Sequence, residues 1–382
     1  MRVLLLGEYS GVHTNLAMVL KELGHDVITV SDGDGFKSFP RDVDLSFSPW
    51  YKKLGISIIL DWLGLKGTAH FFKRRKVLSN LNDIDVIQCI NTASICSYSS
   101  LANYLVLKTI ISSNPNAKVF LCALGDDRTW VNYCLNKKNK YSYFDRLKLN
   151  NIKNYLFSLK YLYAIGYKQL DKYVIEKSEA IIPGLLDYYN AYSDCKKVSN
   201  IIRIPISKEQ HSNAYDVKKE LENSSNKDKE IINVFHGWQI GKDLRKGNDV
   251  LDRVVKKIKE DHVREIEYNV IQNVPYNEYV RCFDKADIFL DQVYSYDRGV
   301  NAILGMANGK VVVSGFENEK SFDKPIGINA VPDESELYTS INELILNPVK
   351  LRNIKINAVE FIIQNHEPEK IAQEYLLLWG SK

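Results

Sequence analysis

The stretch "DQVYSYDRGVNAILGMANGKVVVSG", Asp291–Gly315, decides how the second half of the chain is read. It ends in three valines closed by Ser314 and Gly315, the pattern of a strand buried on both faces. "VNAILGMA" has the composition of a short apolar helix, and "NGK" is a turn. Ahead of them, "DQVYSYDRG" is polar and aromatic, and neither a hairpin nor a membrane span explains it. With the apolar run "DIFLDQV" just upstream, the segment reads strand, helix, strand. That is one step of an alternating α/β domain with a parallel sheet.

The same alternation extends upstream. "IINVFHG" and "REIEYNVI" read as strands, and "GNDVLDRVVKKIKE" and "YNEYVRCFDKA" as helices. Downstream, helices fill residues 334–363 and "EKIAQEYLLLWG" closes the chain. The N-terminal half repeats the pattern independently, with strands at "MRVLLLG", "DVITV", "DVIQCIN", "AKVFLCALG", "AIIPG" and "IIRIPI". Helices are expected at "HTNLAMVLKEL", "LGISIILDWLGL", "TAHFFKRRKVLSNL" and "SSLANYLVLKTIISS", and as one long aromatic helix over 152–177. Residues 36–50 read as irregular. Residues 207–229 lose periodicity and become charged, which predicts a linker region. The expected organisation is a domain over 1–206, the linker 207–229, a second domain over 230–365 and a terminal helix over 366–382. No short fixed repeat is present, so a solenoid is excluded.

At 382 residues, 45% hydrophobic and 26% charged, the chain has the length and composition of two folded domains. No secretory signal or membrane-length apolar run is visible. Six cysteines form no CxxC pair, and Cys89 and Cys122 sit inside strand-like runs, so reduced buried thiols and a cytoplasmic location are expected. The net charge of +4 is unevenly placed. Tyr51–Lys76 carries seven basic residues against one acidic, and Tyr133–Lys177 ten against three, which leaves −9 for the remainder.

Ligands of doubly wound domains sit beyond the carboxyl ends of the strands, which directs attention to four loops. In "GEYSGVH", Gly7 and Gly11 allow close backbone approach before a helix, and His13 is a candidate base or acceptor contact. The loop is not GxGxxG, so a nicotinamide site gains little support. In "ALGDDRTW", Asp126 and Asp127 are candidates to orient a sugar hydroxyl or take its proton; the competing reading is helix N-capping. In "HGWQIGKDLRKGNDVL", Lys242, Arg245 and Lys246 precede a helix start, a combination suited to a diphosphate. In "RGVNA", Gly299 allows close approach and Asn301 offers a side-chain amide at a second helix start.

"KGND" and "GMANGKVVVSG", in this order and separation, resemble the C-terminal half of the family 4 glycosyltransferases. The ordered set "GEYS", "SDGDG", "ALGDD", "VPYNEY", "DQVYSY" and "NAILGMANGK" is similar to family-4-like transferases found with bacterial surface-polysaccharide genes. The resemblance spans nearly the whole chain. It implies an α/β GT-B fold, two Rossmann-like doubly wound domains facing a cleft, with the C-terminal helix packing back toward the N-terminal domain. It also implies a nucleotide-diphosphate sugar donor, UDP- or GDP-linked, held by the C-terminal domain. By the same resemblance the acceptor is expected against the N-terminal domain, with retention of configuration and with no need for a metal or a cofactor. Lys246 matches the family's phosphate lysine. Its arginine partner is replaced by Trp238, which leaves that role to Arg245 or Lys242. The family's paired glutamates map to Tyr296 and Leu304, so ribose and sugar contacts are expected from Asp297, Asn301, Glu317 or Glu319. The family's N-terminal histidine has no match, and Asn91 and Asp127 stand nearest its expected place.

The two basic segments, 51–76 and 144–173, mix lysine with Trp, Phe, Tyr, Leu and Ile. Such helices suit a membrane interface, and a peripheral position on the inner membrane face with a lipid-linked acceptor is expected. The alternative is amphipathic helices packed on the sheet. No nucleic-acid module accompanies the basic patches. The reading is a glycosyltransferase acting on a saccharide or lipid-linked saccharide. Its alternatives are a GT-B sugar-nucleotide epimerase and a non-catalytic sugar-nucleotide or glycan-binding subunit.

Overall fold

The computed structural model describes residues 1–48, 55–223, 231–238, 241, 243–261, 266–272, 276–319 and 324–380. The chain divides into two compact units. The first comprises Met1–Lys138, Asn150–Pro205 and Pro368–Lys382, and the second comprises Asn139–Leu149 and Ile206–Glu367.

The first unit runs β1 (Arg2–Leu6), α1 (Val12–Glu22), β2 (Asp26–Ser31), β3 (Val43–Asp44), α2 (Ile56–Trp62), α3 (Thr68–Ser79), β4 (Val86–Cys89), α4 (Ser100–Ser113), β5 (Lys118–Ala123), α5 (Arg128–Leu135), α6 (Leu156–Tyr163), α7 (Tyr167–Lys177), β6 (Ser178–Pro183) and α8 (Leu186–Tyr192). Among the described residues its sheet is parallel, in the order β3-β2-β1-β4-β5-β6. Every residue of β4 is buried, which accounts for an unbroken apolar run around Gln88. The order reverses between β1 and β4, which makes their carboxyl ends the switch point of this unit.

The second unit runs α9 (Lys208–Asn223), β7 (Ile232–Gly237), α10 (Asp243–Lys246), α11 (Asn248–Asp261), β8 (Ile266–Ile271), α12 (Tyr276–Lys285), β9 (Ile288–Leu290), α13 (Val300–Ala307), β10 (Val311–Ser314), β11 (Ile328–Asn329), α14 (Glu334–Leu346) and α15 (Pro348–Asn365). Its described sheet is also parallel, ordered β11-β10-β9-β7-β8, with the switch point between β7 and β9. The apolar helix and the valine strand of Asp291–Gly315 are α13 and β10.

The last helix, α16 (Pro368–Gly380), belongs to the first unit, as expected. Ile371, Ala372, Tyr375 and Trp379 join the core formed by β1, α1 and β5. A buried polar chain ties this helix down. Trp379 Nε1 donates to Gln88 Oε1 at 3.2 Å, Gln88 Nε2 lies 3.2 Å from His13 Nε2, and His13 Nδ1 lies 2.8 Å from the Gly7 carbonyl. With Nδ1 donating to Gly7, Nε2 is left to accept from Gln88, so the neutral imidazole satisfies both links.

Several sequence expectations change. Residues 208–223 of the expected linker form α9, which packs on α13 and α15. Its start is a capping box: the Ser207 amide donates to Gln210 Oε1 and the Gln210 amide to Ser207 Oγ. Residues 224–229 of that expectation lie outside the described residues. "IIRIPI" joins no ladder, although Ile202, Ile204 and Ile206 are buried, because Pro205 has no amide to donate. The long helix expected over 152–177 breaks between α6 and α7. There the Ile165 amide bonds to the Trp62 carbonyl and Ser100 Oγ donates to the Ile165 carbonyl, so the helical ladder is interrupted. The stretch read as irregular contains the short strand β3, while residues 49 and 50 lie outside the described residues.

Candidate functional site

At the first unit's switch point, the loop "GEYSGVH" serves the fold. Gly7 has φ of +87°, and a Cβ there would lie 2.3 Å from the Ser94 carbonyl oxygen, so glycine lets the loops after β1 and β4 touch. The anion position at the start of α1 is filled from within the chain. Glu8, 2% exposed, accepts from the Gly11 amide at 2.9 Å, the Thr14 amide at 2.8 Å and the Thr14 hydroxyl at 2.6 Å. Burial raises the Glu8 pKa against these hydrogen bonds. The expectation that Gly7 and Gly11 approach a ligand is therefore corrected: the free amides there already have a carboxylate.

His13 is likewise corrected as a candidate base. It is 1% exposed, its ring nitrogens are engaged as described, and burial lowers its pKa to about 4 despite the Gly7 hydrogen bond. Of the two acids after β5, Asp127 caps α5: Oδ1 accepts from the Trp130 amide at 2.8 Å and Oδ2 from the Tyr192 hydroxyl at 2.7 Å. Burial, with a smaller contribution from Asp126, raises the Asp127 pKa to about 6. Asp126 is also buried, and its carboxylate accepts from the Ser158 hydroxyl. Asn91, 0% exposed, donates to the Leu124 carbonyl at 2.7 Å and accepts from the Ala93 amide at 2.8 Å. These side chains brace the carboxyl edge of the first sheet.

The second unit presents a different arrangement. Gly247, φ +69°, turns the chain from α10 into α11 where a Cβ would sit 3.0 Å from Val293. That turn brings Lys246 to the β7–β9 switch point. Lys246 Nζ lies 2.7 Å from Asp291 Oδ1, Ser314 Oγ donates to Asp291 Oδ2 at 3.1 Å, and the Lys246 carbonyl accepts from the Val293 amide at 2.8 Å. One lysine is thus fixed at the carboxyl ends of β9 and β10. On the same sheet edge α13 begins at Gly299 without a side-chain cap; a Cβ on Gly299 would meet nothing within 4 Å, and Asn301 is exposed. A fixed cation and an uncapped helix start on one sheet edge can bind an anion.

The remaining candidates are distributed otherwise. Lys242 lies outside the described residues. Asp297 and Glu319 both pair with Arg298, a residue the sequence reading passed over. Arg298 is 1% exposed, with NH1 3.1 Å from Asp297 and 3.0 Å from Glu319, and its guanidinium lies 4.6 Å from the Phe361 ring centre. The two acids expected to touch sugar instead compensate this buried cation. The only hint in the sequence was the adjacency of Asp297 and Arg298.

Asn139–Leu149 lies in sequence between α5 and α6 yet is part of the second unit. It straps across the site-forming loops. The Tyr141 hydroxyl donates to Glu317 Oε1 at 2.8 Å, the Lys140 amide donates to the Tyr296 hydroxyl, and the Tyr141 and Tyr296 rings stack edge-on at 4.8 Å. Arg146 makes a two-pronged pair with Asp249 at 2.7 and 2.8 Å, and Arg245 lies over the Tyr143 ring at 5.4 Å. Arg245, Tyr296 and Glu317, three of the positions singled out in the sequence, are all engaged by this strap.

No family profile and no curated protein matches the chain by sequence. Solved structures do match in fold. HepE from Anabaena, crystallised with UDP and glucose, aligns with a TM-score of 0.56 at 13% identity over 100% of this chain and 99% of its own. Sucrose-phosphate synthase from Thermosynechococcus elongatus gives 0.57 at 13% identity over 99% and 98%. The UDP-GlcNAc 2-epimerase of Neisseria meningitidis, bound to UDP-GlcNAc, gives 0.50 at 13% identity over 99% and 100%. Two parallel α/β units with a helical C-terminus give this chain the GT-B fold.

Proposed function

We propose that the chain is a glycosyltransferase. It moves a sugar from a UDP- or GDP-linked donor to a saccharide or lipid-linked saccharide, with retention of configuration, in bacterial surface-polysaccharide synthesis. The observation that carries this reading is Lys246, held by Asp291 at the second switch point on the sheet edge where α13 starts uncapped. In this reading the ammonium and the first-turn amides of α13 hold the donor diphosphate. They stabilise the negative charge that grows on it as the glycosidic bond breaks. Asn301 adds a polar contact at the helix start.

Isothermal titration with UDP and GDP, followed by donor-hydrolysis and transfer assays, tests it. The reading expects one of the two nucleotides to bind and Lys246→Met to weaken it at least about tenfold, the loss of one charge-assisted hydrogen bond. Absence of nucleotide binding, or binding indifferent to Lys246→Met, refutes it. Tyr296 and Leu304, where the resembling family has glutamates, favour a second reading. Binding without turnover would identify a non-catalytic subunit, and a new sugar nucleotide formed without acceptor an epimerase.

A peripheral membrane position accompanies the proposal. Among the described residues no helix is long and apolar enough to cross a membrane. In the first unit, however, α2 buries no residue, and Ile58, Ile59, Phe157 and Ile165 are 59%, 60%, 51% and 62% exposed. The Ile165–Trp62 hydrogen bond sets the end of α6 beside α2, and Lys73, Arg75 and Lys76 are exposed on α3. Apolar side chains flanked by cations suit an anionic headgroup layer. Residues 51–54 of the expected surface lie outside the described residues. Lys160 faces inward, 3.1 Å from Asp61, and 144–149 belong to the second unit. Cosedimentation with phosphatidylglycerol vesicles should fall when Ile58 and Ile59 become serine; equal sedimentation would remove the membrane element.

A further inference from the structure

The strap 139–149 brings an arginine to the turn that carries Lys246. Arg146 bonds to Asp249 through two parallel N–H···O contacts of 2.7 and 2.8 Å. Asp249 is the acid in the first turn of α11, close after Lys246 in the chain. Arg146 also donates to the Tyr294 hydroxyl. The Tyr294 ring lies 3.1 Å from where a Cβ on Gly247 would sit, and the neighbouring Val293 amide bonds to the Lys246 carbonyl at 2.8 Å. Arg146, Asp249, Tyr294 and Lys246 thus share one turn, and all of them belong to the second unit.

An acid at this position has two opposed effects. It complements the positive end of the α11 dipole and so stabilises the helix. It also repels any anion brought to Lys246, because like charges oppose each other across the turn. Burial pushes the Asp249 pKa up, but the hydrogen bonds and charges of Arg146 and Arg253 outweigh burial and hold it below the usual carboxylate range, so the acid is ionised at neutral pH. Its charge must then be cancelled by a neighbour. Arg253 is shared, at 3.0 Å from Asp249 and 2.7 Å from Glu334. Without Arg146, one arginine would face two carboxylates; with it, the charges of this network balance. The Arg146 and Asp249 side chains are 28% and 26% exposed, so the pair contributes little to folding stability. What it does set is the potential at the turn.

We propose that Arg146 is a positioning residue of the donor site, acting through Asp249: by cancelling that carboxylate it makes the Lys246 turn receptive to a nucleoside diphosphate. The inference rests on the nucleotide reading of this turn and deepens it. A cation carried on the segment between α5 and α6 completes an anion site whose other parts come from α10, α11 and α13. Arg146 is one of the basic residues of the segment 144–173, and its charge is spent on this site and not on a membrane surface.

Isothermal titration of the full chain with UDP and GDP tests it. Arg146→Gln should weaken the nucleotide that binds at least about tenfold, the effect of one unit charge roughly 10 Å away at an effective dielectric constant of about 20. Arg146→Lys keeps the charge and loses the two-pronged geometry, and it should stay within about threefold of the wild type. Adding Asp249→Asn to Arg146→Gln should restore affinity to within about threefold, because no uncancelled acid is left. A contact that only supports the fold would not be rescued this way, since the double variant rebuilds no ion pair. The proposal is overturned if Arg146→Gln binds as the wild type does, if Arg146→Lys is as weak as Arg146→Gln, or if Asp249→Asn restores nothing. Binding lost in Lys246→Met and unchanged in Arg146→Gln would remove this inference alone, whereas a wild type that binds neither nucleotide would remove the nucleotide reading with it.

Discussion

Breaking the Lys246–Asp291 pair should cost more than removing it altogether. The Asp291 side chain is 2% exposed and that of Lys246 16%. In Lys246→Met the carboxylate loses its cation at 2.7 Å and keeps the Ser314 hydroxyl. Stranding one member of a buried pair costs about 3–5 kcal/mol, and the partial exposure of Lys246 points to the lower end, about 3 kcal/mol. In Asp291→Asn the lysine can turn toward water, so the loss is about 1 kcal/mol. In the double variant no charge remains to be buried, and its cost should also be about 1 kcal/mol, which leaves a coupling of about 3 kcal/mol. Hydrogen exchange by mass spectrometry can read this in peptides covering β9 and β10. A loss of 3 kcal/mol in opening free energy is about a hundredfold faster exchange in Lys246→Met, and most of the protection should return in the double variant. Equal exchange in Lys246→Met and the double variant would refute the electrostatic account of how this lysine is positioned.

Other expectations follow from the same structure. Asp171 and Asp127 both have pKa values raised by burial, to about 8 and about 6, so the unfolded chain binds fewer of these protons between pH 4 and 8. The first unit should therefore lose stability as pH rises across that window, and Asp171→Asn should flatten the trend in thermal melts at pH 5 and pH 8. An unchanged slope would contradict it. Trp379→Ala empties a core position and leaves Gln88 Oε1 without its donor, which should cost about 3–5 kcal/mol and expose α1 to exchange. Ser207→Ala removes one half of the capping box on α9 and should cost about 1 kcal/mol, seen as faster exchange in the first turn of that helix. Tyr141→Phe removes the hydrogen bond to Glu317 while keeping the ring on Tyr296. Exchange in 139–149 should rise while exchange in β7 is unchanged, and a β7 change would mean that the strap supports the sheet itself.

Much of the architecture was legible from local pattern. Gly-terminated apolar runs alternating with helical periodicity predicted two parallel α/β units, and β1, β5, β7 and β10 fall where those runs lie. "KG" before a helix start pointed to Lys246, because a cation beside the free amides of a helix start suits a diphosphate. Two local signals were present and went unread. "SKEQ" is a capping box, and Ala214, Val217 and Leu221 have helical spacing that marks the buried face of α9.

What the sequence determined by itself was the order and type of most elements, because hydrophobic period and turn chemistry act over a few residues. The tertiary structure alone decided which candidates reach solvent. Glu8 takes the amides that "GEYSGVH" presents, Asp127 takes the cap, and Asp297 and Glu319 take Arg298. The strap's Lys140 meets Tyr296 across 156 residues of chain. Pairings over such separations depend on strand order and packing, and no local period in the chain encodes them.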